Sequence, residues 1–168
     1  YVYINFYSKQ NENWVLKNHY EFGKDGITGL DPQLSDFNND GLNDMTYVST
    51  VAARSANEVR RLFIYDKGKD ELILIQNSED YPNLLYNKDL NCIDAFLVFG
   101  GCMTVFLKIN GDSLKQFASV ELSDGLYVKT YNELGKEKLI FRNKKYKGEY
   151  ERFKNYKPLK KYQEADFD

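Results

Sequence analysis

Turn signals divide this sequence into short segments, and no other feature limits its possible folds as strongly. Asn110-Gly111 is the strongest two-residue hairpin signal in the chain. Ser123-Asp124-Gly125 and Asn132-Glu133-Leu134-Gly135 mark two further turns downstream. The segments between turns are rich in aromatic residues, which fit the pleated, half-buried surface of a sheet. Short strand-like segments separated by turns are typical of all-β proteins, so we predict an all-β fold.

Two more hairpins are predicted in the first half of the chain. Residues 1–7 and 14–22 are strand-like and flank the polar turn Asn11-Glu12-Asn13. Residues 61–65 and 71–76 follow the same pattern, with a charged turn between them. Short polar connections between strand-like runs favour antiparallel hairpins.

The length and composition favour a single sheet-rich domain. The chain has 168 residues, including fourteen Tyr and eleven Phe, and this length suits one domain with a sizeable core. We therefore expect one domain over residues 1–168, folded as an antiparallel β-sandwich or a propeller-like arrangement with at most one short helix. Residues 78–91 are the candidate for that helix, because Leu84, Leu85 and Asp89 could lie together on it.

The segment from Asp36 to Asp44 has the spacing of a calcium-binding loop. Its side chains follow the pattern Asp-x-Asn-x-Asp-Gly, in which oxygen ligands alternate and Gly41 allows a sharp bend. Ca²⁺ is a hard cation that takes six to eight oxygen ligands, so this donor set suits it. The predicted metal ligands are Asp36, Asn38, Asp40, the backbone carbonyl of Leu42, and Asp44.

This loop departs from an EF-hand in two ways. Tyr47 stands at position 12, where a bidentate Glu is usual, and the flanking segments predict loop and strand rather than two helices. We therefore expect a calcium loop carried by β-structure, with Asp44 or a more distant carboxylate such as Asp31 completing the ligand set. Calcium bound there would stabilise the folded state. The alternative is a solvated turn without metal, because Asp, Asn and Gly favour turns in any case.

No catalytic motif is present in the sequence, and we expect the protein not to be an enzyme. His19 is the single histidine and lies in a strand-like segment. Cys92 and Cys102 lack the paired spacing of a zinc site, and no phosphate-binding or nucleophile motif occurs. The two cysteines are expected to be buried free thiols, with a disulfide as the alternative.

The segment from Lys136 to Lys161 is strongly basic. It contains eleven Lys or Arg against three Glu, although the whole chain has a net charge of −2. Such a segment could bind nucleic acid, an anionic polymer or an acidic protein. The alternative, which we prefer, is the solvated face of edge strands, where Lys discourages sheet-to-sheet association. We therefore do not expect nucleic acid as a partner.

The order of these features resembles a family of bacterial lipoproteins. The acidic loop leads into a strand, then into Asn57–Asp66, and later a glycine pair opens the segment Gly100–Phe106 before the Asn-Gly hairpin. Over about residues 25–122 this order is similar to the calcium-binding lipoproteins that inhibit lysozyme-like peptidoglycan hydrolases, some of which are immunity proteins. A similar acidic loop occurs in FG-GAP-like repeats of β-propellers.

The resemblance implies a function and a location. Such proteins are exported to the periplasm or cell surface, held to the membrane only by a lipidated cysteine upstream, and bind a cell-wall hydrolase by inserting a loop into its cleft. The matching partner-binding residues here would be Gly100, Gly101, Met103, Thr104 and Phe106. A tight turn in a buried hairpin is the alternative interpretation of the glycine pair. The alternative function is a cell-surface structural or adhesion module that uses calcium for rigidity.

Overall fold

The computed structural model describes residues 1–26 and 28–167, and over these residues its regular structure consists of strands and two 3₁₀ turns. The strands are β1 (Val2–Gln10), β2 (Asn13–Phe22), β3 (Gln33–Ser35), β4 (Asp44–Ala52), β5 (Asn57–Asp66), β6 (Glu71–Leu74), β7 (Leu85–Asn87), β8 (Cys92–Val98), β9 (Cys102–Asn110), β10 (Ser113–Leu122), β11 (Leu126–Tyr131), β12 (Glu137–Asn143), β13 (Phe153–Tyr156) and β14 (Leu159–Lys161). The 3₁₀ turns are Ser78–Asp80 and Glu164–Asp166. The predicted all-β fold is confirmed.

The strands pair with their sequence neighbours in four antiparallel sheets. Two of these are ribbons of two strands, β1–β2 and β13–β14. A four-stranded sheet has the order β3-β4-β5-β6, and a six-stranded sheet has the order β12-β11-β10-β9-β8-β7. Within each sheet every strand pairs with its sequence neighbours, as expected for antiparallel meanders.

The two larger sheets pack face to face over the main hydrophobic core. Successive side chains of β5 point to opposite faces, so the four-stranded sheet contributes to a hydrophobic cluster on each of its two faces. Leu62 and Ile64 lie on the face that contacts Ile93 and Leu107 of the six-stranded sheet, whereas Phe63 lies on the opposite face. This packing is that of a β-sandwich.

Each outer face of the sandwich is covered by one ribbon. Val2 of the β1–β2 ribbon packs in a cluster with Phe63 and with Tyr47 of β4. On the other side, Phe153 of β13 packs in a cluster with Phe106 of β9. The central strands are therefore buried on both faces. This accounts for the long apolar runs of β8 and β9.

The predicted hairpins of the first half are confirmed, with small changes in the bounds of their strands. β1 and β2 meet at Asn11 and Glu12, and β5 and β6 flank residues 67–70. The Asn110-Gly111 hairpin is present, but Asn110 pairs with Ser113, so its two-residue loop is Gly111 and Asp112.

The prediction of a helix within residues 78–91 is wrong. Only Ser78–Asp80 forms a 3₁₀ turn, and Leu85 belongs to β7, which pairs with β8. Asn83 stops any continuation because its φ of 55° is left-handed. Its side chain also binds the backbone of Glu58 and Phe96. No helix in the described part of the chain is long and apolar enough to cross a membrane.

Candidate calcium site

The acidic loop closes the hairpin between β3 and β4. Ser35 of β3 is paired with Asp44 of β4, so residues 36–43 form the connection. The strand expected after the loop is confirmed, whereas the segment before it, expected to be loop, contains the short strand β3. A hairpin connection holds the two ends of the loop at a fixed separation, which a metal loop requires if its ligands are to converge.

Asp36 shapes the first half of the loop through its carboxylate. Oδ1 accepts a hydrogen bond from the backbone N–H of Asp40 at 3.2 Å, and Oδ2 accepts one from Gly41 at 2.8 Å. Gly41 has a φ of 81°, which a glycine adopts without strain. The sharp bend expected at this glycine is therefore present, and it folds the backbone around the Asp36 side chain.

Asn38 and Asp40 repeat the same inward arrangement. The Asn38 side-chain oxygen accepts from the N–H of Asp40 at 3.1 Å, and Asp40 Oδ1 accepts from the N–H of Leu42 at 2.8 Å. The Asn38 amide also donates to Asp40 Oδ2 at 2.9 Å. The side-chain oxygens at positions 1, 3 and 5 thus lie on the inner side of the bend, where hard oxygen donors are needed.

Asp44 is the buried member of the predicted ligand set. Its side chain is 0% exposed, and its two oxygens accept hydrogen bonds from the backbone N–H groups of Phe37 at 2.8 Å and Tyr65 at 2.9 Å. Phe37 is itself buried in the main core. The loop is therefore fixed at one end by an apolar side chain and at the other by a buried carboxylate.

Three carboxylates lie near one another in this loop without a cationic side chain. Burial raises the pKa of Asp44, the hydrogen bonds from Tyr65 and Phe37 lower it, and the charges of Asp40 and Asp36 raise it again. Within residues 1–26 and 28–167, no Lys, Arg or His forms an ion pair with any of the three. Asp44 is the one buried member of the three, since Asp36 is half-buried and Asp40 is exposed, and a buried carboxyl is normally paired, bound to a metal or neutralised by protonation.

The loop offers the carboxylate, amide and carbonyl oxygens that Ca²⁺ prefers, but the carboxylates are not arranged as a complete set of metal ligands. Among the described residues, no group of three or more His, Cys, Asp or Glu side chains is arranged to hold a metal ion. Both Asp44 oxygens already accept backbone N–H groups, which leaves each one further lone pair. Asp36, Asn38, Asp40, the carbonyl of Leu42, and Asp44 remain the residues that would hold Ca²⁺.

Asp31, the distant carboxylate considered for completing the ligand set, and Tyr47, which stands at position 12 of the loop, both have other partners. The Asp31 carboxylate forms an ion pair with the buried guanidinium of Arg60, so its negative charge is already neutralised. Tyr47 is 3% exposed in the core beneath the β1–β2 ribbon, and its hydroxyl accepts a hydrogen bond from Arg61. The proposed completion of the ligand set by Asp31 therefore does not fit this structure.

The segment Gly100–Phe106 is divided between a short turn and a buried strand. Gly100 lies in the turn between β8 and β9, and a side chain added to it would meet open space. Gly101 packs so closely that an added Cβ would lie 2.2 Å from the Leu122 carbonyl oxygen. Thr104 and Phe106 are 0% exposed in β9.

The surface that this segment offers to a partner is therefore small. Thr104 Oγ1 accepts the backbone N–H of Phe153, and the ring of Phe106 lies in the core cluster with Phe153, so neither side chain is free to contact another protein. The exposed part consists of Gly100 and the neighbouring Phe99, with Met103 half-buried. The glycine pair also serves as the tight turn that was the alternative interpretation.

The two cysteines are buried, and the single histidine lies on the surface. Cys92 and Cys102 are buried free thiols, as expected, and burial raises the pKa of both, that of Cys92 to about 12. His19 is exposed on β2, where its Nδ1 is hydrogen-bonded to the Asn5 side chain at 2.7 Å and its ring stacks on Tyr3.

An exposed aromatic surface on the β1–β2 ribbon was missed in the sequence analysis. Its members share the outward face of the ribbon, away from the core: Tyr1, Tyr3, Tyr7, Trp14, Leu16 and His19. Trp14 is 68% exposed. Large exposed apolar surfaces often mark interaction sites. The loose alternation of residues 1–7 predicted a strand, but sequence alone does not tell which side of a ribbon packs on the core.

A buried polar cluster that holds the C-terminal segment was also missed. Asp94 of β8 is 0% exposed and pairs with the guanidinium of Arg152. Its Oδ2 accepts hydrogen bonds from the Tyr162 hydroxyl at 2.6 Å and the Asn87 amide at 2.8 Å. Part of the basic segment therefore has a structural role, which its composition did not reveal.

Comparison of this chain with protein-family models, curated proteins and solved structures finds no match. The resemblance to hydrolase-inhibiting lipoproteins consequently stays a hypothesis based on the residues quoted above.

Proposed function

We propose that this protein is a non-enzymatic binding domain stabilised by one Ca²⁺ ion in the loop of residues 36–44. The observation that carries the proposal is the buried carboxylate of Asp44, which lies beside Asp36 and Asp40 with no cationic side chain paired to any of them in the described structure. A divalent cation would offset this charge, which no side chain offsets.

Calcium in this position would act on stability rather than on chemistry. Asp44 joins the loop to β5 through Tyr65, so a cation bound to the loop would favour the folded sandwich over the unfolded chain. The metal supplies charge neutralisation only, and the role of the domain is to present a rigid surface to a partner.

Calorimetric titration with Ca²⁺ tests the metal part of the proposal. We expect the wild-type protein to bind one ion and Asp40→Ala to bind it at least about ten-fold more weakly, since it loses an inward carboxylate. Asp124→Ala is the matched control, because Asp124 lies in another glycine-containing turn remote in sequence from the loop. Equal binding by wild type and Asp40→Ala would contradict the proposal.

The specific partner proposed from the resemblance is a lysozyme-like cell-wall hydrolase, bound by an exported, lipid-anchored form of the chain. Gly100 offers a clean test, because a side chain there meets open space and should not disturb the fold. If the turn enters a hydrolase cleft, Gly100→Arg abolishes inhibition while the melting temperature stays unchanged. Inhibition that survives this substitution would exclude the turn as the inhibitory element.

A surface structural or adhesion module is the second candidate function. It is favoured by the exposed aromatic face of the β1–β2 ribbon and by the shortness of the Gly100 turn, which spans only residues 99–101 between β8 and β9. In this case the partner covers Trp14 and its neighbours. Loss of partner binding in Trp14→Ala, with binding retained in Gly100→Arg, would support this function over hydrolase inhibition.

A further inference from the structure

The free edge of the six-stranded sheet differs from the other edges of the two main sheets. This edge is β12, which has seven residues, whereas the edge strands β3, β6 and β7 have three, four and three. Short edge strands protect proteins against unwanted pairing. Among the described residues of these sheets, β12 is thus the longest edge, although a register shift against β11 leaves Ile140 unpaired and divides the edge into Glu137–Leu139 and Phe141–Asn143, along which another strand could pair.

β12 is also exposed on both faces and carries three consecutive large apolar residues. All seven of its residues are exposed, and Leu139, Ile140 and Phe141 are 47%, 40% and 48% exposed. An edge strand that contacted only solvent on its free side would be expected to carry polar residues at these positions. The apolar centre of β12 therefore suits an added strand that covers it.

The surroundings of this apolar centre are basic. Five basic residues lie along residues 136–145 against one acidic residue, a net of +4: Lys136, Lys138, Arg142, Lys144 and Lys145, against Glu137. Glu137 already pairs with Lys129 at 3.1 Å. Within the described chain, none of the five basic side chains forms an ion pair.

We propose that β12 binds an extended acidic segment of a partner protein, which adds a seventh strand to the sheet. Backbone hydrogen bonds to β12 would supply affinity, as in other cases of strand addition, and acidic side chains beside Lys138 on one face of the sheet and Arg142 on the other would supply selectivity. The inference rests on the binding role proposed above, but it depends neither on the calcium loop nor on the Gly100 turn.

A second copy of the chain is a poor occupant for this edge. Pairing of two β12 strands would bring together two basic segments, each with a net charge of +4 over residues 136–145, and the unpaired Ile140 would interrupt a regular ladder between them. Like charges directly opposite one another destabilise a strand pair. Nucleic acid would satisfy the positive charge, but it cannot continue the strand-to-strand ladder of backbone hydrogen bonds that the edge offers.

The test uses the full chain and a synthetic peptide. The probe is an eight-residue peptide that repeats Glu-Glu-Val-Val and so presents Glu on both faces of a strand, and its control is the same peptide with Lys in place of Glu. Affinity is measured by fluorescence anisotropy, and hydrogen exchange of the amides of residues 137–143 reports whether the peptide pairs with the edge. The variant Lys138→Glu/Arg142→Glu removes the charge match at exposed positions, so its fold should be retained.

A matched variant separates the edge from the rest of the basic segment. Lys157→Glu/Lys160→Glu makes the same charge change at two exposed positions, one before β14 and one within it. We expect the Glu peptide to bind wild type and this control equally, to slow exchange in β12, and to bind Lys138→Glu/Arg142→Glu about ten-fold more weakly.

Four outcomes of the peptide experiment would overturn the inference. These are no binding of the Glu peptide, equal weakening in the two variants, binding without protection of β12, and displacement of the peptide by a single-stranded oligonucleotide that itself protects the edge. Dimerisation through β12 in sedimentation experiments would assign the edge to a second copy instead. Calcium titration is independent of all these results, so failure of the proposed function and failure of this inference can be told apart.

Discussion

The Asp44 carboxylate of β4 accepts a hydrogen bond from the backbone N–H of Tyr65 in β5 at 2.9 Å. Its other oxygen accepts the N–H of Phe37, two residues after β3. One buried side chain therefore joins the acidic loop to the adjacent strand of the four-stranded sheet. Stability of the loop and stability of the sheet are coupled through this residue, with or without a bound ion.

Replacing Asp44 should destabilise the fold even when calcium is removed. Asp44→Ala leaves the N–H groups of the buried Phe37 and the half-buried Tyr65 without acceptors, and each group that is left unsatisfied away from water costs about 1–3 kcal/mol. We expect the free energy of unfolding, measured by urea titration in the presence of a chelator, to fall by about 2–5 kcal/mol.

The exposed carboxylate of Asp89 provides the control for this measurement. Asp89→Ala removes the same charge from the surface, and such substitutions usually change the free energy of unfolding by less than about 0.5 kcal/mol. A loss of similar size in both variants would mean that the two hydrogen bonds of Asp44 contribute little.

The Arg152–Asp94 ion pair should be essential for attaching the C-terminal segment. Arg152→Ala leaves Asp94 buried without its cation, a change that typically costs about 3–5 kcal/mol. Arg142→Ala, which removes an exposed guanidinium of β12, should leave the urea midpoint almost unchanged. If the two variants unfold at the same urea concentration, the buried pair does not stabilise the fold.

The buried thiol of Cys92 predicts a specific dependence on alkaline pH. Burial, followed by the charge of Asp94, raises its pKa to about 12 from an ordinary value near 9. Between these values the unfolded chain loses the thiol proton while the folded protein keeps it, so the stability contributed by Cys92 is present below pH 9 and is lost as the pH rises.

Comparison of wild type with Cys92→Ala isolates this contribution, because other titrating groups are common to both proteins. The difference between their free energies of unfolding at pH 8 should shrink by about 1.4 kcal/mol at pH 10. A difference that stays constant over this range would show that the folded-state pKa is not raised.

The exposed aromatic face predicts a fluorescence signature, since Trp14 is the single tryptophan and is 68% exposed. Acrylamide should quench its emission in the folded protein nearly as well as in urea. A partner that covers the face would reduce quenching, which provides a direct assay for the second candidate function. Strong protection of Trp14 in the isolated protein would mean that this face is already covered.

The sequence predicted local features of the fold well because turns and strands depend on neighbouring residues. Asn11-Glu12 and the Asp66–Asp70 segment formed hairpins as expected, since their polar turns favour short connections. The loop of residues 36–44 could also be delimited, because the inward turn of alternate side chains follows from its own spacing and from the bend at Gly41.

Features that depend on distant residues could not be predicted in this way. Thr104 and Phe106 were candidates for partner contact, but their burial is determined by β13, which comes almost fifty residues later. The pairing of Asp94 with Arg152 likewise joins elements that are far apart in sequence. Leu85 was a candidate for a short helix with Leu84 and Asp89, but its pairing with Asp94 of β8 places it in a strand.

Thermal melting with excess Ca²⁺ and then with a chelator, repeated for Asp40→Ala, tests the calcium proposal most directly. At free Ca²⁺ about 100-fold above the dissociation constant, binding adds about 2.7 kcal/mol, which for a chain of this size raises Tm by about 5–10 °C. We predict that rise for the wild type and at most about half of it for Asp40→Ala, whose ten-fold weaker binding adds about 1.4 kcal/mol at the same Ca²⁺ concentration. Identical wild-type melting temperatures in the two conditions would contradict calcium stabilisation and leave residues 36–44 as a turn without metal.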